Sequence, residues 1–208
     1  MSNFYKAAVQ IQESINSLDK EIISVFLTGG RSAEKLYNEW KFLDDFKKIK
    51  NTHFFFGDER LVESSSLDSN YGMALRSLFS KGIPNNCKVF PVKVDLMNLV
   101  DSIRNYSLII PDEIDILILG LGDDGHIASL FPGSSSLFEE SEKFLLTESQ
   151  NHPFKRATIS PKVIRSAKKT FILAFGEKKL KVLKDMKDSN ITLRDYPALI
   201  VNNPVWLS

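Results

Sequence analysis

Ile114-Asp-Ile-Leu-Ile-Leu119, running directly into Gly120-Leu-Gly-Asp-Asp-Gly-His126, is the stretch on which the fold class turns. A nearly continuous apolar run of this length suits a strand at the centre of a parallel sheet, covered on both faces. The same grammar recurs upstream. Ile22 to Leu27 is a short apolar run that ends in Thr28-Gly-Gly-Arg-Ser32, after which Leu36, Tyr37, Trp40 and Leu43 repeat at helical spacing. His53 to Phe56 reads as a strand, Tyr71 to Phe79 as a helix with Asn70 at its N-cap, and Lys88 to Val92 as a third strand. Leu96, Leu99, Val100 and Ile103 mark a helix behind Asp95, and Phe4, Ala8, Ile11, Ile15 and Leu18 mark an opening one. Downstream, residues 123 to 142 carry Gly, Ser, Pro and Asp with little periodicity, a length of loop that is usually functional or disordered. Thr170 to Phe175 is a further strand, Leu180, Val182, Leu183 and Met186 lie on a lysine-rich helix, and Ala198 to Val201 is expected to be the last strand. Alternation of this kind predicts an α/β fold: an open, mostly parallel, Rossmann-like sheet with helices on both faces, in a single domain over residues 1–208.

Composition narrows the function classes. The chain has 208 residues and a formal net charge of +1, so no global field draws it to nucleic acid or an anionic membrane. Any bound anion must be gripped locally. Cys87 is the single cysteine and has no internal disulfide partner, which suits a reducing compartment. No apolar run approaches the roughly 20 residues of a membrane span, and Met1-Ser-Asn-Phe-Tyr-Lys6 lacks a secretory pattern. The expectation is a cytoplasmic protein with no nucleic-acid, membrane or protein partner indicated.

In open α/β sheets ligands bind beyond the carboxyl ends of the strands, which singles out three loops. At Thr28-Gly29-Gly30-Arg31-Ser32, glycines let backbone amides approach an anion, the next helix adds its positive end, and Arg31 offers a bidentate contact to phosphate. A plain strand-to-helix turn capped by Ser32 is the competing explanation. Gly57-Asp58-Glu59-Arg60 packs two acids and a base behind an aromatic strand; a solvated turn explains it equally well. The third loop formally matches the G-x-G-x-x-G dinucleotide fingerprint. Two aspartates where a pyrophosphate would sit, and Pro132-Gly133 too soon for a crossover helix, argue against that match. Asp123, Asp124 and His126 are all potential metal ligands, but His53 and His152 fall in unrelated contexts and no zinc or di-metal spacing results. What remains is an acid/base site, a histidine oriented by a neighbouring carboxylate, against a histidine that merely caps a helix.

Taken together, these residues resemble the 6-phosphogluconolactonase family, and the resemblance runs over nearly the whole chain. It is carried by Phe26-Leu-Thr-Gly-Gly-Arg-Ser32, Gly57-Asp-Glu-Arg60, Ser69-Asn-Tyr71, Leu119 to Gly133, Arg156-Ala-Thr-Ile159 and Gly176-Glu-Lys-Lys179. Asp124-Gly-His-Ile-Ala-Ser-Leu-Phe-Pro-Gly133 is the specific string. The related glucosamine-6-phosphate deaminases share its first half but then typically carry Phe-Asn-Glu-Pro, whereas this chain has Ser129-Leu-Phe-Pro132 without the acid. The resemblance implies hydrolysis of 6-phospho-D-glucono-1,5-lactone, without metal or cofactor, on the open α/β fold of the sugar-phosphate isomerases and lactonases. It implies His126 as the catalytic residue with Asp124 as its acidic neighbour. It also implies substrate contacts from Gly29, Gly30, Arg31, Ser32, Asp58, Arg60, Asn70, Gly122, Arg156 and Lys179. One departure stands out: the family loop commonly reads Ser-Gly-Gly-Ser-Thr-Pro, and here Thr28-Gly-Gly-Arg-Ser-Ala33 loses a hydroxyl and a proline and gains Arg31. Two competing functions remain at this stage, a glucosamine-6-phosphate deaminase or isomerase and a non-catalytic sugar-phosphate sensor.

Overall fold

In the computed structural model, which describes residues 1–208, the Ile114 run forms strand β5 (Ile114–Gly120), with its first six residues buried. It pairs in parallel with β1 (Ile23–Leu27) on one side and β8 (Ala167–Leu173) on the other. Central placement explains the composition: a strand hydrogen-bonded on both edges and covered on both faces has no exposed side chain to make polar. Asp115, the one acid in the run, is only 2% exposed. Its carboxylate accepts from the backbone and hydroxyl of Ser24 at 3.0 and 3.2 Å and pairs with Lys20 at 2.6 Å, so the buried charge is satisfied.

The sheet continues outward through β2 (Thr52–Phe56) to β4 (Lys88–Val89) beyond β1, and to β9 (Val205–Leu207) beyond β8. All six strands are parallel, in the order β4-β2-β1-β5-β8-β9. Six α-helices accompany the strands: α1 (Asn3–Asn16), α2 (Arg31–Trp40), α3 (Asn70–Arg76), α4 (Leu99–Ile109), α5 (Pro161–Arg165) and α6 (Glu177–Asp185). Stacked rings of Phe26, Phe55 and Phe90, at centroid distances of 5.0 and 4.8 Å, run across the β1–β2 half. Trp40 of α2 is fully buried and donates from Nε1 to Gln12 Oε1 of α1 at 2.8 Å, which locks the two helices together.

Several expected elements differ. Ala198–Val201 is not a strand: Pro197–Ile200 is a 3₁₀ turn, and the edge strand follows at Val205. Lys88–Val92 keeps only two residues of strand, and the helix expected to reach Phe79 ends at Arg76. The N-cap of α3 is Ser69, whose hydroxyl accepts from the Gly72 amide, and not Asn70. The larger difference is a second, antiparallel sheet of β3 (Asp58–Arg60), β7 (His152–Ile159) and β6 (Phe144–Ser149). Gly57-Asp-Glu-Arg60 is therefore not a solvated turn. Asp58 and Glu59 are 4% and 2% exposed, held by the ladder to β7.

Chain order reverses between β1 and β5. From β1 the chain moves to β2 and β4, then crosses back to β5 and continues to β8 and β9. The carboxyl ends of β1 and β5 thus form the topological switch point, the crevice where an open α/β sheet binds its ligand. Thr28–Gly30 and Gly120–His126 both lie there.

Candidate active site

The loop after β5 is a tight turn built on glycine. The Gly122 amide donates to the His126 carbonyl at 2.8 Å and the Gly125 amide to the Gly122 carbonyl at 3.2 Å. Gly125 sits at φ +81°, with the Tyr196 ring packed against it. At Gly122 the requirement is space: a Cβ there would lie 2.1 Å from His126 Nδ1 and 2.4 Å from Asp124 Oδ1. The turn folds the Asp124 carboxylate back onto the histidine. Asp124 Oδ1 stands 2.6 Å from His126 Nδ1 and also accepts from the His126 amide at 3.2 Å. Burial works to raise the Asp124 carboxyl, but the His126 ring and amide outweigh it and hold the group well below the usual carboxylate range. His126 Nε2 makes no hydrogen bond within the chain, and the side chain is one-fifth exposed.

From the second sheet come Arg60 and Arg156, directly opposite each other in the β3–β7 ladder. Like charges facing across an antiparallel pair are unfavourable unless something negative lies between or above them. Arg156 is 7% exposed and forms no salt bridge; burial and the Arg60 charge lower its basicity, while Asp58 opposes them. Arg60 donates from Nη1 to the Asp68 carbonyl at 2.7 Å. Its Nε, the Nε of Arg156 and the Oδ1 of Asn70 are the buried side-chain polar atoms that find no hydrogen-bond partner. All three belong to residues that the family resemblance implies at the site.

Asn70 is fully buried at the start of α3 and donates from Nδ2 to the Asp58 carbonyl at 2.8 Å. It lies so close to the first loop that a Cβ on Gly29 would fall 1.8 Å from its Oδ1, which is why that position is glycine. Tyr37 fixes the same loop, its hydroxyl bonded to both the amide and the carbonyl of Thr28 at 3.0 and 2.9 Å. Gly30 takes φ +90° and caps α2 without a side-chain bond, so Ser32 is not the helix cap. Arg31 opens α2, exposed and in no salt bridge. Asp58 accepts from the Ser129 hydroxyl at 2.8 Å, tying β3 to the stretch behind His126. Lys179 on α6 pairs with Asp123 at 2.5 Å, next to Asp124, whereas Lys178, Lys181, Lys184 and Lys187 are exposed.

His152 was expected in an unrelated context; it is not. The β6–β7 hairpin brings its Nε2 to 3.7 Å from Asp124 Oδ2, with its ring 5.0 Å from that of His126 and nearly perpendicular to it. Phe131 backs both imidazoles, stacked on His152 at 4.9 Å and tilted against His126 at 5.1 Å, with the Arg156 guanidinium 5.9 Å over its ring. The sequence signal missing for His152 is the hairpin itself, because neither β6 nor β7 was legible as a strand.

Comparison with known proteins bears on this arrangement. Residues 4–206 match the family model described as glucosamine-6-phosphate isomerases/6-phosphogluconolactonase. The chain is 31% identical over 197 residues to a probable 6-phosphogluconolactonase of Dictyostelium discoideum, covering 90% of this chain and 82% of that one. It is 29% identical over 194 residues to the 6-phosphogluconolactonase of Borreliella burgdorferi, covering 89% and 82%. Among solved structures it resembles the 6-phosphogluconolactonase of Thermotoga maritima, with a TM-score of 0.82, 25% identity and coverage of 99% and 94%. The Trypanosoma brucei 6-phosphogluconolactonase matches with the same score and identity, over 99% and 91%.

Proposed function

The chain belongs to the glucosamine-6-phosphate isomerase/6-phosphogluconolactonase family, and from that membership we propose that it hydrolyses 6-phospho-D-glucono-1,5-lactone to 6-phospho-D-gluconate. The observation that carries this reading is the pairing of His126 with Asp124 at 2.6 Å, beside a buried arginine that has no ion-pair partner. One half of the site offers a base and the other offers a seat for an anion.

With Nδ1 held by Asp124, His126 Nε2 is the free nitrogen that takes a proton from water as the water oxygen attacks C1. The imidazolium then gives that proton to the ring oxygen as the C1–O bond breaks, and the carboxylic acid product loses its own proton to solvent. Asp124, ionised across the neutral range, stabilises the imidazolium while it exists. Proton transfer of this kind contributes about 10²–10⁴-fold, on the order of 3–5 kcal/mol, which serves an already activated lactone.

The phosphate sits away from the bond that breaks, so its contacts place the substrate. Arg60 and Arg156 converge from β3 and β7, and a phosphate resolves both their mutual repulsion and the unmet Nε donors. Asn70, Asp58, Ser32 and the Gly29–Gly30 amides line the sugar side in this reading, with Gly122 behind the dyad and Arg31 and Lys179 at the rim. The deaminase alternative lacks support, because Ser129-Leu-Phe-Pro132 supplies no acid and Ser129 is fully buried against Asp58.

Replacing Arg156 tests the assignment of the anion seat. Arg156→Ala is expected to raise KM for the phosphorylated lactone about tenfold to a hundredfold while leaving KM for unphosphorylated gluconolactone within about twofold. Equal effects on both substrates would contradict it. Ammonia release from glucosamine 6-phosphate without acceleration of lactone hydrolysis would overturn the reaction itself.

A further inference from the structure

His152 takes no part in the hydrolysis just described, yet it stands at the edge of the same dyad. We propose that Asp124, His126 and His152 form a binding site for Zn²⁺, and that the bound ion silences the enzyme by taking Asp124 and the Nδ1 of His126 out of the pairing that makes Nε2 a base.

The donor set is the first argument. Two imidazoles and one carboxylate are ligands that zinc favours, whereas magnesium and calcium select all-oxygen cages. Placement is the second. One ligand atom from each residue lies within 4.8 Å of the others, and the three side chains are partly exposed, leaving a fourth position open to water. Tetrahedral zinc with bonds of about 2.0–2.1 Å needs ligand atoms about 3.4 Å apart. Asp124 and His152 stand 3.7 Å apart, close to that spacing, while Asp124 and His126 at 2.6 Å need part by only about 1 Å to admit the ion. His152 is the ligand with room to move, since Asn151, Pro153, Phe154 and Lys155 beside it are exposed. The third argument is the surround. Phe131 stacks on one imidazole and packs against the other, an apolar wall behind both rings, whose near nitrogens lie 2.6 and 3.7 Å from Asp124. Arg156, whose guanidinium lies 5.9 Å over the Phe131 ring, is the opposing charge and sets a limit on affinity.

Binding does not depend on the lactonase reading, but its inhibitory consequence rests on His126 being the base. Calorimetric titration of the full chain with ZnCl₂, in chelator-free buffer, is the direct test. Wild type is expected to bind one Zn²⁺ per chain, and His152→Ala and His152→Gln to bind it about tenfold to a hundredfold more weakly. Cobalt(II) should give visible ligand-field bands in wild type that both variants lose. Circular dichroism of the two variants should match wild type. In parallel lactone assays, Zn²⁺ should stop wild type and a chelator restore it, while the variants keep full chelator-treated turnover and resist the same Zn²⁺ concentration. No stoichiometric binding by wild type, or unchanged affinity in both variants, overturns the site. Loss of Zn²⁺ affinity in the variants with no lactone hydrolysis by any form would uphold the site and reject the lactonase reading instead.

Discussion

Gly122 shows how closely the chemistry depends on single atoms. The Asp124–His126 pair occupies the space that any side chain at residue 122 would need, with His126 Nδ1 only 2.1 Å from the position of a Cβ. Gly122→Ala must push the imidazole or the carboxylate away. Displacements of about 1 Å at a reacting group cost up to roughly a hundredfold in rate. We expect kcat to fall about tenfold to a hundredfold with the far-ultraviolet circular dichroism unchanged, as stopped assays and spectra of the purified variant will check. In sequence the glycines of this turn match the dinucleotide fingerprint only formally; in the structure Gly122 leaves the space that the Asp124–His126 pair fills. The distinction needed the fold, because a glycine required for conformation and one required for space look the same in sequence.

At the scale of elements, the small antiparallel sheet carries most of what sequence reading left out. Strands β1, β2, β5 and β8 announce themselves by apolar runs, and α1, α2 and α6 by helical spacing. β3 is Asp58-Glu-Arg60, with no apolar pattern at all; it is a strand because β7 pairs with it and because Glu59 is buried under α3. Glu59 accepts from the Asn70 and Tyr71 amides at 2.6 and 2.8 Å and from the Ser69 hydroxyl at 3.2 Å, so it secures the helix start beside the Ser69 cap. Asn70, the other capping residue type at that boundary, is drawn off by the Asp58 carbonyl, a contact invisible to local rules. Ala198–Val201 was misread for the complementary reason, since a short apolar run does not by itself distinguish a strand from a buried turn. Burial pushes the Glu59 carboxyl up to about 7 against those amide donors. A carboxyl whose pKa is raised on folding keeps its proton in the native chain after the unfolded chain has lost it. Its contribution to stability is therefore full below the unfolded value near 4.5 and declines as pH rises through about 7. Urea unfolding of wild type and Glu59→Gln between pH 5 and 8 should show wild type losing stability relative to the variant as pH rises. The facing Arg60–Arg156 pair is the opposite case in the proposed reading, anion binding held against stability. Arg156→Met removes a buried, unpaired cation and is expected to stabilise the free protein by about 0.5–2 kcal/mol while weakening substrate binding, measurable as a higher Tm alongside a higher KM.

For the whole molecule, the parallel sheet and the small sheet divide the work. The six-stranded sheet presents its switch point, where the loops after β1 and β5 lie side by side, and Gly120 donates from its amide to the Thr28 hydroxyl at 3.3 Å across that junction. The antiparallel sheet leans two arginines and His152 over the same crevice from β3 and β7. Ser129 joins the two, its hydroxyl on Asp58 and its amide on Thr158 Oγ1 at 3.1 Å. The His126 loop was legible because it lies in one contiguous segment; the proposed anion seat was legible only as separate motifs, since nearly a hundred residues lie between Arg60 and Arg156. The claim on which the rest depends is that His126 does the chemistry. It is tested most directly by the turnover of 6-phospho-D-glucono-1,5-lactone in wild type and His126→Ala, followed through a coupled 6-phosphogluconate dehydrogenase against the spontaneous rate. The account predicts that wild type far outpaces spontaneous hydrolysis and that kcat in His126→Ala falls by about 10²–10⁴ with the fold intact; turnover in the variant equal to wild type would contradict it.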